Sequence, residues 1–174
     1  MFKVGDMILY GSTGVCRVTD ITTRDFSGAD ADQLFYILIP LYQNGIISTP
    51  VNNTKIFMRP IISKDEAERL IDMIPTIRAE AYHSQILQEL TEHYEKSLKT
   101  YDCTELVELT MSIYAKKQFV EQQKRKFGAV DEKFMKHAED LLFGELAAVL
   151  NIPKDQVPEY IAERVNRKRR DHNK

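Results

Sequence analysis

The stretch Ile62-Ser63-Lys64-Asp65-Glu66 divides this chain. Ser63 with Glu66 three residues on is a capping-box pattern, in which each side chain satisfies a backbone N–H at a helix start. Upstream, the apolar residues come in short runs rich in β-branched and aromatic types. Downstream, they recur at helical spacing. The chain is therefore expected to be α+β, with its two kinds of structure segregated. Residues 1–60 should form a small antiparallel β-barrel of SH3-like or Tudor-like type, and residues 61–174 an all-α domain.

Within the first part, Met7-Ile8-Leu9-Tyr10 is a short apolar run, broken by Gly11-Ser12-Thr13-Gly14 and resumed from Val15 to Ile21. Leu34 to Ile39 is apolar on both faces, as a central strand would be. Asn44-Gly45, between Leu41-Tyr42 and Ile46-Ile47, predicts a tight type I′ hairpin, because that turn needs positive φ at both positions. Pro50 marks a strand end or a sheet edge.

From Ser63 to Arg167 the spacing predicts almost continuous helix. Ile77, Ala81, Leu87, Leu90, Tyr94 and Leu98 make one stripe. Asp102-Cys103-Thr104-Glu105 reads as a second capping box, opening a helix with Leu106, Leu109, Ile113, Tyr114 and Phe119 inward and Gly128 as its C′ residue. Asp131 to Leu150 predicts a long helix with Phe134, Ala138, Leu141, Leu142 and Leu146 inward, stopped by Asn151-Ile152-Pro153. Asp155 to Arg167 predicts a last short helix running into a basic tail.

Bulk properties narrow the function. The 174 residues carry a net charge of -2, so any nucleic-acid contact must come from a local patch. No apolar run is long enough for a membrane span, and Met1 to Asp6 lacks the apolar core of a signal peptide. The protein is expected to be cytoplasmic, without membrane contact and monomeric. Cys16 and Cys103 form no CxxC, so two buried apolar thiols are expected. His83, His93, His137 and His172 have no paired-ligand spacing. Gly11 and Gly14 precede no GK[ST], and Ser12 is not in GxSxG. Asp25, Asp30 and Asp32 lack the EF-hand pattern and read better as a solvated loop than as a cation site. The expectation is a non-enzyme without cofactor or metal.

Several stretches together resemble the CarD-like family, which shares its N-terminal module with the transcription-repair coupling factor. Phe2-Lys3-Val4-Gly5-Asp6, Ile8-Leu9-Tyr10 and Gly14 resemble the family opening F-x-x-G-D-x-V-x-Y-x-x-x-G. Leu34 to Pro50, ending on Thr49-Pro50-Val51, looks like its next segment. Leu98 to Asp102 stands where the family has L-x-S-G-D, and Ala138 to Ala147 resembles A-x-x-I-L-x-x-E-L-A. The resemblance covers roughly residues 1–150.

The resemblance implies a bacterial transcription regulator. Its N-terminal module would pair a sheet edge with the RNA polymerase β subunit, at Arg24, Ile46, Ile47, Ser48, Thr49 and Pro50. Its helical domain would contact promoter DNA weakly and without sequence preference, and stabilise the open promoter complex. The family commonly carries a Trp wedge on the first long C-terminal helix, whereas this chain has no Trp. Leu87 falls near that position, with Glu89 and Glu92 beside it, and reads either as a wedge or as a core residue. Lys116, Lys117, Lys124, Arg125, Lys126, Lys133 and Lys136 form a phosphate-binding face or a plain solvated one. Arg164, Arg167, Lys168, Arg169 and Arg170 form either a nucleic-acid contact or a soluble end. An alternative function is a protein-interaction adaptor on polymerase with no direct DNA contact.

Overall fold

The computed structural model describes residues 1–23 and 32–173. The chain forms two compact units, Met1–Ile62 and Ser63–Lys174. The first is a five-stranded antiparallel sheet of β1 (Met7–Tyr10), β2 (Gly14–Thr23), β3 (Leu34–Pro40), β4 (Ile47–Pro50) and β5 (Met58–Pro60), in the order β4-β3-β2-β1-β5. Ile8, Tyr10, Cys16, Val18, Tyr36 and Leu38 build its core, with Phe2, Ile21 and Ile47 packed against them.

The expected Tudor-like β unit followed by a helical one is what forms, but the sheet is open and not a closed barrel. β4 and β5 remain its two edges. Each is short and ends on a proline, which has no N–H for a further ladder bond. The expected tight Asn44-Gly45 turn is also corrected. β3 ends at Pro40 and β4 begins at Ile47, so residues 41–46 form a longer loop. β3 continues through Pro40 because Ile39 and Pro40 pair with Arg17 and Cys16 of β2. Of Asn44 and Gly45, Gly45 alone has positive φ, where a type I′ turn needs both.

The second unit holds α1 (Lys64–Met73), α2 (Leu87–Leu98), α3 (Cys103–Gln122), α4 (Ala129–Leu150) and α5 (Val157–His172). At α1 the capping box forms in full: Glu66 N–H donates to Ser63 Oγ at 3.1 Å, and Ser63 N–H donates to the Glu66 carboxylate at 2.7 Å. Asp102 caps α3 by accepting from Glu105 N–H. α3 lies along α4, α2 packs on both, and α1 packs on α4 and α5.

Four helical expectations need correction. Ile77 and Ala81 are not helical, because Pro75 follows α1 closely and residues 77–86 run as irregular chain. That segment is held to the bundle by Ser112 Oγ–H donating to Glu80 C=O at 2.6 Å and by Tyr82 stacked on His93 at 3.6 Å. Tyr114 and Phe119 are exposed. Gly128 does not close α3: Lys124 takes the left-handed position, with Arg125 N–H bonded to Val120 C=O and Lys124 N–H to Glu121 C=O, a Schellman end. Gly128 instead caps the start of α4. Finally, α5 continues through the basic residues to His172. Phe134, Ala138, Leu141, Leu142 and Leu146 are buried and α4 ends at Leu150, both as expected, with Asn151 in the left-handed conformation.

Candidate protein and nucleic-acid interfaces

The Phe2-to-Asp6 opening is a compact anchor for the sheet. Phe2 N–H donates to Tyr36 Oη at 2.9 Å, and the two rings lie 5.6 Å apart. Gly5 has φ of 96°, a conformation glycine adopts without penalty. Asp6 accepts Lys3 N–H through its carboxylate and Val18 N–H through its carbonyl. The motif residues therefore tie the N-terminal arm along β2.

β4 is one of the sheet's two edges. Val51 N–H bonds to Leu34 C=O, which sets the alternation of the β3–β4 ladder. Thr49 and Ile47 then face β3, and Ser48 turns its N–H and C=O to the open side. Pro50 has no N–H, and its C=O already accepts from Asn53 N–H at 3.0 Å. Ile46, 71% exposed, stands just before the strand. Ile47 is half-buried against the core. Thr49 is buried, its hydroxyl accepting from Asn53 Nδ2 at 2.8 Å, so its side chain serves the fold. Arg24, with Asp25 and Asp30, lies outside the described residues.

Residues 2–62 match a family model described as the CarD-like/TRCF RID domain. The N-terminal unit is a CarD-like RID domain. No curated protein matches the chain. A RID domain is an RNA-polymerase-interacting, protein-binding module, which places this chain in transcription. Within the matched residues, the Gly5-Asp6 turn and the Phe2–Tyr36 contact anchor the N-terminal arm to the sheet. Sequence reasoning found the motif by likeness, without its physical role.

In the helical unit the expected basic cluster divides. Lys116 is corrected outright: it is buried, and its ammonium donates to Asp131 Oδ1 at 2.9 Å. Tyr94 Oη–H donates to the same oxygen at 2.6 Å, and burial together with that bond holds the phenol well above its ordinary range. Lys116 fell at helical spacing with surface lysines, and only the distant Asp131 explains its burial. Lys117 is half-buried, its ammonium 5.9 Å from the Phe127 ring centre. Lys124, Arg125, Lys126, Lys133 and Lys136 are exposed around the α3–α4 turn.

Leu87 opens α2 and is 64% exposed, beside Ile86 at 57%, so the core reading of Leu87 is corrected. It begins the helix after irregular chain, with no turn before it to cover its side chain. Glu89 and Glu92 are exposed nearby. Arg164 is not free: it pairs with Glu68 and Asp72 of α1, and Lys168 pairs with Asp72. Arg167, Arg169 and Arg170 are exposed.

The cysteines are buried, and burial pushes the Cys16 thiol up to about 11. Among the described residues no group of three metal-ligating side chains occurs. Nor is any helix long and apolar enough to cross a membrane.

Proposed function

We propose that the RID domain binds the polymerase β subunit by adding one of its strands to the β4 edge. The helical unit would then meet promoter DNA at the upstream edge of the bubble and stabilise the open complex. The observation that carries the reading is the open β4 edge, with Ser48 facing outward and Ile46 exposed. Backbone pairing there supplies affinity, and flanking side chains supply specificity. Arg24 joins this contact on the family pattern, and Arg24→Glu weakens it. For DNA, the supporting feature is the run Lys124-Arg125-Lys126 with Lys133 and Lys136, all exposed near one helix turn. Holding DNA better in the open than in the closed promoter shifts the population toward the open complex.

The decisive experiment is a titration of Ser48→Pro and Ile46→Asp chains against purified polymerase. The first removes the outward N–H, and the second puts a charge on the flanking contact. Each is expected to cost about 1–3 kcal/mol of binding, with unchanged circular dichroism. Unaltered affinity in both folded variants would sink the edge-pairing mechanism.

A second reading, an adaptor that binds protein only, draws on Glu89 and Glu92 beside Leu87 and on the loss of Lys116 to the interior. Carboxylates there repel phosphate, and the DNA-facing charge shrinks to the α3–α4 turn.

A further inference from the structure

α3 has two apolar faces. Leu106, Leu109 and Ile113 are buried in the bundle. Val107, Met111, Tyr114, Ala115 and Gln118 fall at i, i+4, i+7, i+8 and i+11, a single second face. That face forms one wall of a trough of about 740 Å³, with Ile161 and Val165 of α5 on the other wall and α4 as part of its floor. The α3 wall from Val107 to Gln118 covers twelve residues, or about 16 Å over the rises between them. That is about three turns of a docked helix. Tyr114 on the lining is 55% exposed, and Gln118, Ala162 and Asn166 are exposed too, so the trough is open at that end, while Val107 at the other end is buried. A small ligand would stay wet there, whereas ligand pockets bury most of their guest. A helix laid between two helical walls would instead complete the bundle, its i, i+3, i+4 and i+7 side chains filling the groove.

The charge of the floor selects among helices. Glu139 of α4 lines the trough, half-buried, and no hydrogen bond or salt bridge among the described residues engages it. Burial, reinforced by Asp140, raises its pKa, and Lys117 only partly offsets this. Arg78 also lines the trough but is exposed, so water screens its charge and Glu139 sets the sign of the floor. We propose that this trough receives an amphipathic helix of a partner protein, about three turns long, whose apolar stripe carries a Lys or Arg over Glu139. Docking there does not depend on how the RID domain engages polymerase.

The test is selection of displayed helical peptides, Leu-striped with one randomised stripe position, against the full chain. Wild type should enrich Lys or Arg at that position, and Glu139→Lys should enrich Asp or Glu. A selected peptide should lose about tenfold or more in affinity against Ala115→Trp, which fills the trough. Met111→Glu gives a second blocked wall should the Trp variant fail to fold. Absence of any enrichment, enrichment of the same residue on both backgrounds, or peptides indifferent to the blocked walls would overturn the proposal.

Discussion

Asp131 satisfies two buried donors with one oxygen, the Tyr94 hydroxyl and the Lys116 ammonium. Asp131→Ala leaves that ammonium buried without a counter-charge, a loss expected to cost about 3–5 kcal/mol. Chemical denaturation of the full chain measures it, and a cost below about 1 kcal/mol would mean that water reaches Lys116. Gly128 belongs to the same arrangement, because a Cβ there would stand 2.8 Å from Asp131 Oδ2. Little of this was legible in sequence. Lys116 follows the spacing of a solvated lysine, and its partner is fifteen residues away. The apolar positions fared better because burial follows periodicity. Leu90, Tyr94, Leu98, Leu106 and Leu141 are all buried, whereas Tyr114 misled because α3 has a second apolar face.

Among elements, α5 runs past the end expected from sequence. A run such as Arg167-Lys168-Arg169-Arg170 repels itself and suggests a solvated end, yet the helix runs from Val157 to His172. Its hold on α1 explains this: Tyr160 and Arg164 both reach Glu68, and Arg164 and Lys168 both reach Asp72. These contacts lie more than ninety residues apart in sequence, so no local pattern reveals them. Arg164 is partly exposed, so Arg164→Ala should cost only about 1 kcal/mol. Hydrogen exchange should then show faster amides in α5 and unchanged ones in α3 and α4. The hydrogen bond to Glu68, with burial adding, raises the Tyr160 pKa above its ordinary value of 10.0. Its contribution is therefore complete below that value and is lost as pH climbs through the raised one. Uniform exchange across the whole bundle would show that α5 has no separate opening.

At the level of the whole molecule, net charge bounds the proposed DNA contact. The net charge is -2, so the free chain should bind duplex only weakly. Whatever binding occurs should weaken with salt, at a slope near -0.9 per phosphate neutralised. Lys124 permits a sharper test. It holds a left-handed conformation, φ 55°, that costs a side-chain-bearing residue about 1 kcal/mol and glycine almost nothing. Lys124→Gly should therefore raise stability by about that amount and reduce the salt slope on polymerase–promoter complexes by about one. A stabilised variant with an unchanged slope would remove the turn from the DNA contact and favour the adaptor. The order of strands and helices was legible because hydrophobic period and caps are local. Sheet closure was not, since it depends on whether two short edges meet.

The shortness of β4 has a further consequence for solution behaviour. An unpaired strand is a template, and a long one invites identical chains to stack on it without limit. Here the outward ladder passes through Ser48 and stops at Pro50, which has no N–H and whose carbonyl is already occupied. The single guest strand proposed above would find a seat there, but that seat is too brief for copies of the sheet to zip together into fibres. The shortness that suits the edge to the proposed guest strand should therefore also limit stacking of identical sheets upon it.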